Sequence, residues 1–222
     1  MIPAMPTAET KRSAPCLVIT ADDYGYRRAY DAGILMAARA GAIDRISVMA
    51  ARDFDPGPLR ELDIGLGIHL EPDPGLAVQF RKFEERFGRM PEHIDGHRHC
   101  HAEPRFAPDI ALVARELRVP VRAVSPPHRA QLRDAGVVTT DRLVGRLFEH
   151  QVVLPLEIGR WLVGERIPEG STEWFVHPGL RDPASGSSYD AGRPEDLAMV
   201  LELGDRERWR RAGVERSVNA GS

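Results

Sequence analysis

Cysteine is scarce in this chain: Cys16 and Cys100 are the only two in 222 residues. That excludes a disulfide framework. No apolar run approaches the roughly 20 residues needed to span a bilayer, so no membrane span is expected. Charge of one sign is also lacking. The net charge of −3 creates no field that would gather nucleic acid or an anionic membrane, and neither is expected as a partner. The stretch Met1 to Pro15 carries charges but no apolar core of a signal peptide; it is expected to be a flexible leader, with a cytoplasmic location as the default. There is no GxGxxG turn, no P-loop, no GxSxG elbow and no CxxC. Dinucleotide, phosphate-loop, serine-hydrolase and thiol-redox chemistry therefore have no anchor here. Internal repeats and low-complexity tracts are absent as well.

What is present fits an ordinary globular protein: 42% apolar and 28% charged residues. One domain is expected over 16–215, with a frayed tail over 216–222 and a homodimer left open. Short apolar runs alternate with helical stretches. Strands are expected at Cys16 to Ala21, Ile46 to Ala50, Asp63 to Leu70, from His93 onward, Val119 to Val124 and Trp174 to His177, with an ambiguous sixth segment at Gly136 to Gly145. Helices are expected at Tyr30 to Ala40, Pro58 to Leu62, Leu76 to Phe87, Ala107 to Leu117, Pro155 to Gly164, Pro194 to Leu203 and Asp205 to Gly213. Repeated βα units imply a parallel sheet covered by helices.

The polar signals collect where strands end: Asp22 and Asp23, His69, His97, His177. Chemistry in α/β folds gathers at the carboxyl ends of strands, and a barrel brings those ends into one ring. The densest signal is His93-Ile94-Asp95-Gly96-His97-Arg98-His99-Cys100-His101, with polar residues at every second position. In an extended segment His93, Asp95, His97, His99 and His101 would share one face and Cys100 would pack on the other. Buried imidazoles and a carboxylate need a partner, and a divalent metal is the natural one. Three protein ligands suffice when a position must stay open for water, so some of these histidines are left to orient ligands or to touch substrate. The adjacent Asp22 and Asp23 repel each other unless cations or donors neutralise them; one can bind metal while its neighbour serves as base. The Pro/Gly/Ser-rich stretch from Pro178 to Arg193 is expected to be a long loop beside the site.

Four pieces, in order, resemble the YdjC-like family of carbohydrate deacetylases, which includes chito-oligosaccharide deacetylases and relatives associated with hopanoid biosynthesis. They are Thr20-Ala21-Asp22-Asp23-Tyr24-Gly25, Gly67-Ile68-His69-Leu70, the His93 to His101 cluster, and Val176-His177-Pro178-Gly179. The resemblance implies a distorted (β/α) TIM-like barrel, with room for fewer than eight complete βα units, and one divalent metal ion, Mg2+ or Zn2+. By motif match, Asp23, His69 and His97 are the implied ligands, Asp22 the implied base and His177 the implied aid to the leaving group. His93, Asp95, His99 and His101 are left as supporting or substrate-facing groups. The implied reaction is removal of an N-acetyl group from an amino sugar or N-acetylated glycan or glycolipid. Alternatives are a hydrolase of another amide and a catalytically silent metal-binding or regulatory barrel. Tyr24 stands where the family usually has Phe. Leu70-Glu71-Pro72-Asp73-Pro74 departs from the usual continuation after the histidine, and the span from His69 to His93 is short for the family.

Overall fold

In the computed structural model the described residues are 14–145, 158, 160, 161 and 168–217. Among them seven parallel strands carry the fold: β1 Cys16–Tyr24, β2 Arg45–Val48, β3 Gly65–Leu70, β4 Ile94–Gly96, β5 Arg142–Val144, β6 Ser171–Val176 and β7 Glu215–Arg216. They run in the order β4-β3-β2-β1-β6-β5, with β7 added to β1 at Cys16 and Leu17. Every pairing is parallel. β1 lies at the centre, between β2 and β6, which is why it reads as a continuous apolar run rather than an alternating one.

The α-helices whose bounds lie wholly among the described residues are α1 Arg28–Arg39, α2 Gly57–Arg60, α3 Leu76–Phe87, α4 Ala107–Leu117, α5 Pro126–Asp134, α6 Arg193–Leu203 and α7 Arg206–Arg211. α1 buries Tyr30, Gly33, Ile34 and Ala37, the i, i+3, i+4, i+7 stripe of a helix laid against a sheet. α3 buries Gln79, Phe80 and Phe83, and it ends where Gly88 adopts a left-handed cap. No helix among the described residues is long and apolar enough to cross a membrane.

The sheet bends back on itself. Beyond β4, Val121 bridges Ile94, and its N–H donates to Val138 O at 3.0 Å. Val138 leads into β5, which pairs with β6 and so returns to β1. The fold is a distorted (β/α) barrel whose wall thins to isolated hydrogen bonds between β4 and β5.

That thinning corrects the expected strand at Val119 to Val124, where only Val121 makes a bridge. Pro120 has no N–H to donate and offers only its carbonyl, which accepts from Ile94 at 3.0 Å. The ambiguous stretch from Gly136 to Gly145 contains β5. α5 is an element the apolar pattern does not announce, because its mean composition is polar. Its start is nonetheless legible: the Ser125 hydroxyl caps His128 N–H, and Pro126 and Pro127 fill the first turn. The helix expected at Pro155 to Gly164 falls largely outside the described residues. The largest correction concerns the histidine cluster. Only Ile94–Gly96 is strand; from His97 the chain tightens into a 3-10 turn with Arg98 and His99 both left-handed, at φ 51° and 60°. The five polar residues therefore do not share one face.

Candidate active site

The acidic pair sits on a bulge. Along β1 and β2 the partners run Thr20↔Arg45, Ala21↔Ile46, then Tyr24↔Val48. β1 thus spends one residue more than β2 over that interval. Asp23 takes up the difference at φ 72°, a conformation Asp tolerates better than most residues. In a regular pleat Asp22 and Asp23 would point to opposite faces. Here each carboxylate lies within 4.8 Å of a ring nitrogen of His69, and both residues are fully buried.

His69, the last residue but one of β3, is in register with Asp95 on β4. Its Nδ1 lies 2.6 Å from Asp95 Oδ1, and its Nε2 faces Asp23 Oδ1 at 3.2 Å. A carboxylate holding Nδ1–H leaves Nε2 as the ligating nitrogen. His97 Nδ1 approaches the same Asp23 oxygen at 2.9 Å. The left-handed turn after β4 redirects the chain directly behind His97, whose ring stacks against Tyr26 with centroids 5.7 Å apart. Asp23, His69 and His97 therefore converge as one carboxylate oxygen and two imidazole nitrogens, a donor set that fits a divalent transition metal.

Two buried arginines make the acids affordable. Arg122 grips Asp22 with two parallel bonds of 2.6 and 2.8 Å. The same guanidinium reaches Asp95 at 2.8 Å and Glu173 at 2.8 Å. Arg193 holds the other oxygen of Asp23, Oδ2, at 2.5 Å. Burial alone would raise the Asp23 carboxyl, but hydrogen bonds from His69 and His97 hold it well below the usual carboxylate range. Burial alone would likewise lower His69. The charges of Asp95 and Asp22, with hydrogen bonds to Asp23 and Asp95, instead raise it to about 10.

His177 follows β6 directly. Its Nε2 lies 4.0 Å from Asp22 Oδ2 and its Nδ1 4.0 Å from Asp196 Oδ2. Asp196 accepts the His177 backbone N–H at 2.9 Å and the Tyr189 hydroxyl at 2.9 Å. Burial, with Arg193 nearby, pushes the His177 imidazole below its ordinary value.

The remaining histidines take separate places. His93 stacks under Gly67, where any Cβ would overlap its ring. Ser47 donates to Asp95 Oδ2 at 2.6 Å, so its oxygen receives the Nε2–H of His93 at 2.9 Å. His101 is tied to the carbonyl of Arg122 at 2.9 Å. His99 packs edge-on against Phe175 and His101. Burial lowers His99 to about 4 and His101 to about 3, so both are neutral rings. Cys100 packs, with its thiol on Leu70 O at 3.2 Å.

The structure thus brings Asp22, Asp23, His69, Asp95, His97 and His177 together and places His93, His99 and His101 around them. Arg122, Arg193, Glu173, Ser47 and Asp196 complete the site, and sequence patterning does not single them out. A lone Arg within a short expected strand or at a helix start reads as a solvated residue. The one available signal was electrostatic: adjacent buried Asp22 and Asp23 demand cations from elsewhere in the chain.

Comparison with known proteins identifies the family. Residues 75–210, more than half of the chain, match the family model described as YdjC-like protein. Over 234 residues the chain is 27% identical to a carbohydrate deacetylase of Geobacillus stearothermophilus, covering 83% of this chain and 89% of that one. It is 23% identical over 231 residues to a chitooligosaccharide deacetylase of Proteus mirabilis, covering 85% and 91%. Among solved structures, a protein of Enterococcus faecalis V583 named for cellobiose-phosphate cleavage superposes with a TM-score of 0.77 at 18% identity, covering 92% of this chain and 97% of that one. That likeness speaks for the barrel alone. The stretch matched by the family model contains the histidine cluster, Arg122, His177 and Arg193, and the bulge of Asp22 and Asp23 lies N-terminal to it. The chain belongs to the YdjC-like protein family.

Proposed function

We propose that the chain is a metal-dependent carbohydrate N-deacetylase that hydrolyses the N-acetyl group of an amino sugar or an N-acetylated glycan. The observation that carries this is the division of labour between neighbours: Asp23 faces two imidazoles, while Asp22 faces His177 across 4.0 Å. A pure binding site needs neither Asp22 nor His177. The named relatives, carbohydrate and chitooligosaccharide deacetylases, support the substrate class.

Asp23, His69 and His97 would hold the ion. Bound there, a divalent ion supplies polarisation of the amide carbonyl and a lowered pKa for the attacking water. Two imidazoles and one carboxylate suit Zn2+ better than Mg2+, which prefers oxygen ligands and several waters. Each Asp22 oxygen accepts one bond from Arg122 and keeps a lone pair. Asp22 is therefore oriented to take the proton of the attacking water. Burial lowers the His177 imidazole below its ordinary value, which suits a group that passes a proton on to the departing amine. The proton that Asp22 takes from the water balances the one the amine gains, and the products are acetate and a free amine. Asp95 fixes the His69 tautomer, and Ser47 and His93 support Asp95 from below. Phe175 packs edge-on against both His99 and His177. A cytoplasmic location belongs to the same proposal.

Asp22→Asn tests this. The isostere should bind Zn2+ as the unaltered protein does, and acetate release from di-N-acetylated chito-oligosaccharides should fall by roughly 10²–10⁴-fold, the usual worth of a general base. Full acetate release by Asp22→Asn would remove Asp22 from its role. No acetate release from any N-acetylated sugar by the metal-loaded, unaltered protein would overturn the function.

A further inference from the structure

We infer that Arg193 is a positioning residue that makes Asp23 a one-oxygen ligand and so sets which ions the site prefers, an inference that rests on Asp23, His69 and His97 being the metal set. Arg193 opens α6 and is only 2% exposed. Its guanidinium lies 3.7 Å above the Tyr30 ring. Among the described residues its one hydrogen bond from the side chain is Nη2 to Asp23 Oδ2 at 2.5 Å, while Nε and Nη1 are buried with no hydrogen-bond partner there.

That arrangement is poor for stability. Buried N–H groups without acceptors cost free energy, and well-packed apolar residues often replace buried ion pairs at no loss. Its effect on Asp23 is specific, however. With Oδ2 tied to the guanidinium, Oδ1 alone faces His69 Nε2 and His97 Nδ1, at 3.2 and 2.9 Å. A carboxylate free at both oxygens can chelate a large, oxygen-seeking ion such as Ca2+. One offering a single oxygen beside two imidazoles matches a small tetrahedral ion and leaves a position open. The guanidinium also offsets the charge of Asp23, which weakens the pull on hard cations that bind chiefly through charge.

The same residue reaches the other half of the site. Gly179 N–H donates to Arg193 O at 3.2 Å, and a Cβ on Gly179 would press on Arg193 Cδ and Cβ at 3.1 and 3.2 Å. Arg193 therefore anchors the turn that carries His177 while holding Asp23.

The test is ion selectivity. Metal-free unaltered protein, Arg193→Met and Arg193→Lys, each checked for fold by circular dichroism, are titrated with Zn2+ and Ca2+. The unaltered protein should favour Zn2+ strongly. Arg193→Met should narrow that preference by ~tenfold or more, because Asp23 regains its second oxygen. Arg193→Lys, which keeps a cation near Oδ2 but loses the guanidinium stacked on Tyr30, should fall between the two. A folded Arg193→Met with an unchanged ratio overturns the inference. If that variant does not fold, a crystal structure of the zinc-loaded unaltered protein decides. One Asp23 oxygen on the ion with Arg193 on the other supports the assignment, and both oxygens on the ion overturns it. An unaltered protein that binds neither ion overturns the metal set itself, and this inference with it.

Discussion

Loading the site with metal should release a proton, and the source is His69. In the metal-free protein Nδ1–H is held by Asp95 at 2.6 Å and Nε2 faces Asp23 at 3.2 Å. A proton on Nε2 therefore occupies the place of the ion. Burial disfavours that imidazolium, but the surrounding carboxylates win and raise its pKa from 6.5 to about 10. The ion needs a neutral imidazole, so it competes with this proton. Apparent affinity should rise close to tenfold per pH unit up to about pH 10, and near pH 8 it should be ~100-fold below its proton-free limit. The sign for stability follows from the same shift. A raised folded pKa stabilises the metal-free protein fully below about pH 6.5, and that contribution is lost as pH rises through about 10. Calorimetric titration of Zn2+ in buffers of different ionisation enthalpy measures the effect, with about one proton expected per ion near neutrality. An enthalpy independent of buffer, with stoichiometric binding, would refute the coupling of His69 to its carboxylates.

Two further outcomes follow from the packing. Arg122→Met should destabilise by about 3–5 kcal/mol in a denaturant titration, since it leaves Asp22, Asp95 and Glu173 buried without their shared cation; a change below about 1 kcal/mol would show that those acids find other partners. Gly67→Ala puts a methyl group into the His93 ring, and it should cost about 1–3 kcal/mol and weaken Zn2+ binding through the His93, Ser47 and Asp95 chain. Unchanged zinc affinity in a destabilised Gly67→Ala would confine His93 to packing.

The sequence by itself determined the alternation of strands and helices, the stripe of α1 at Tyr30, Gly33, Ile34 and Ala37, and the gathering of acids and histidines at strand ends. Those features are local: periodicity, turn residues and residue type suffice for them. It also carried four motifs in order, enough to indicate the family. The face on which each histidine lies was not legible, because period two holds only while the chain stays extended. Two left-handed residues after His97 break that period. Nor was the bulge at Asp23, which a one-residue difference in register between β1 and β2 creates. Only the tertiary structure decided that Asp22 and Asp23 serve different partners, and that Arg122 and Arg193, 100 and 170 residues away in sequence, neutralise them. Compensation of buried charge is a demand that sequence can state, but folding alone chooses which distant cation answers it.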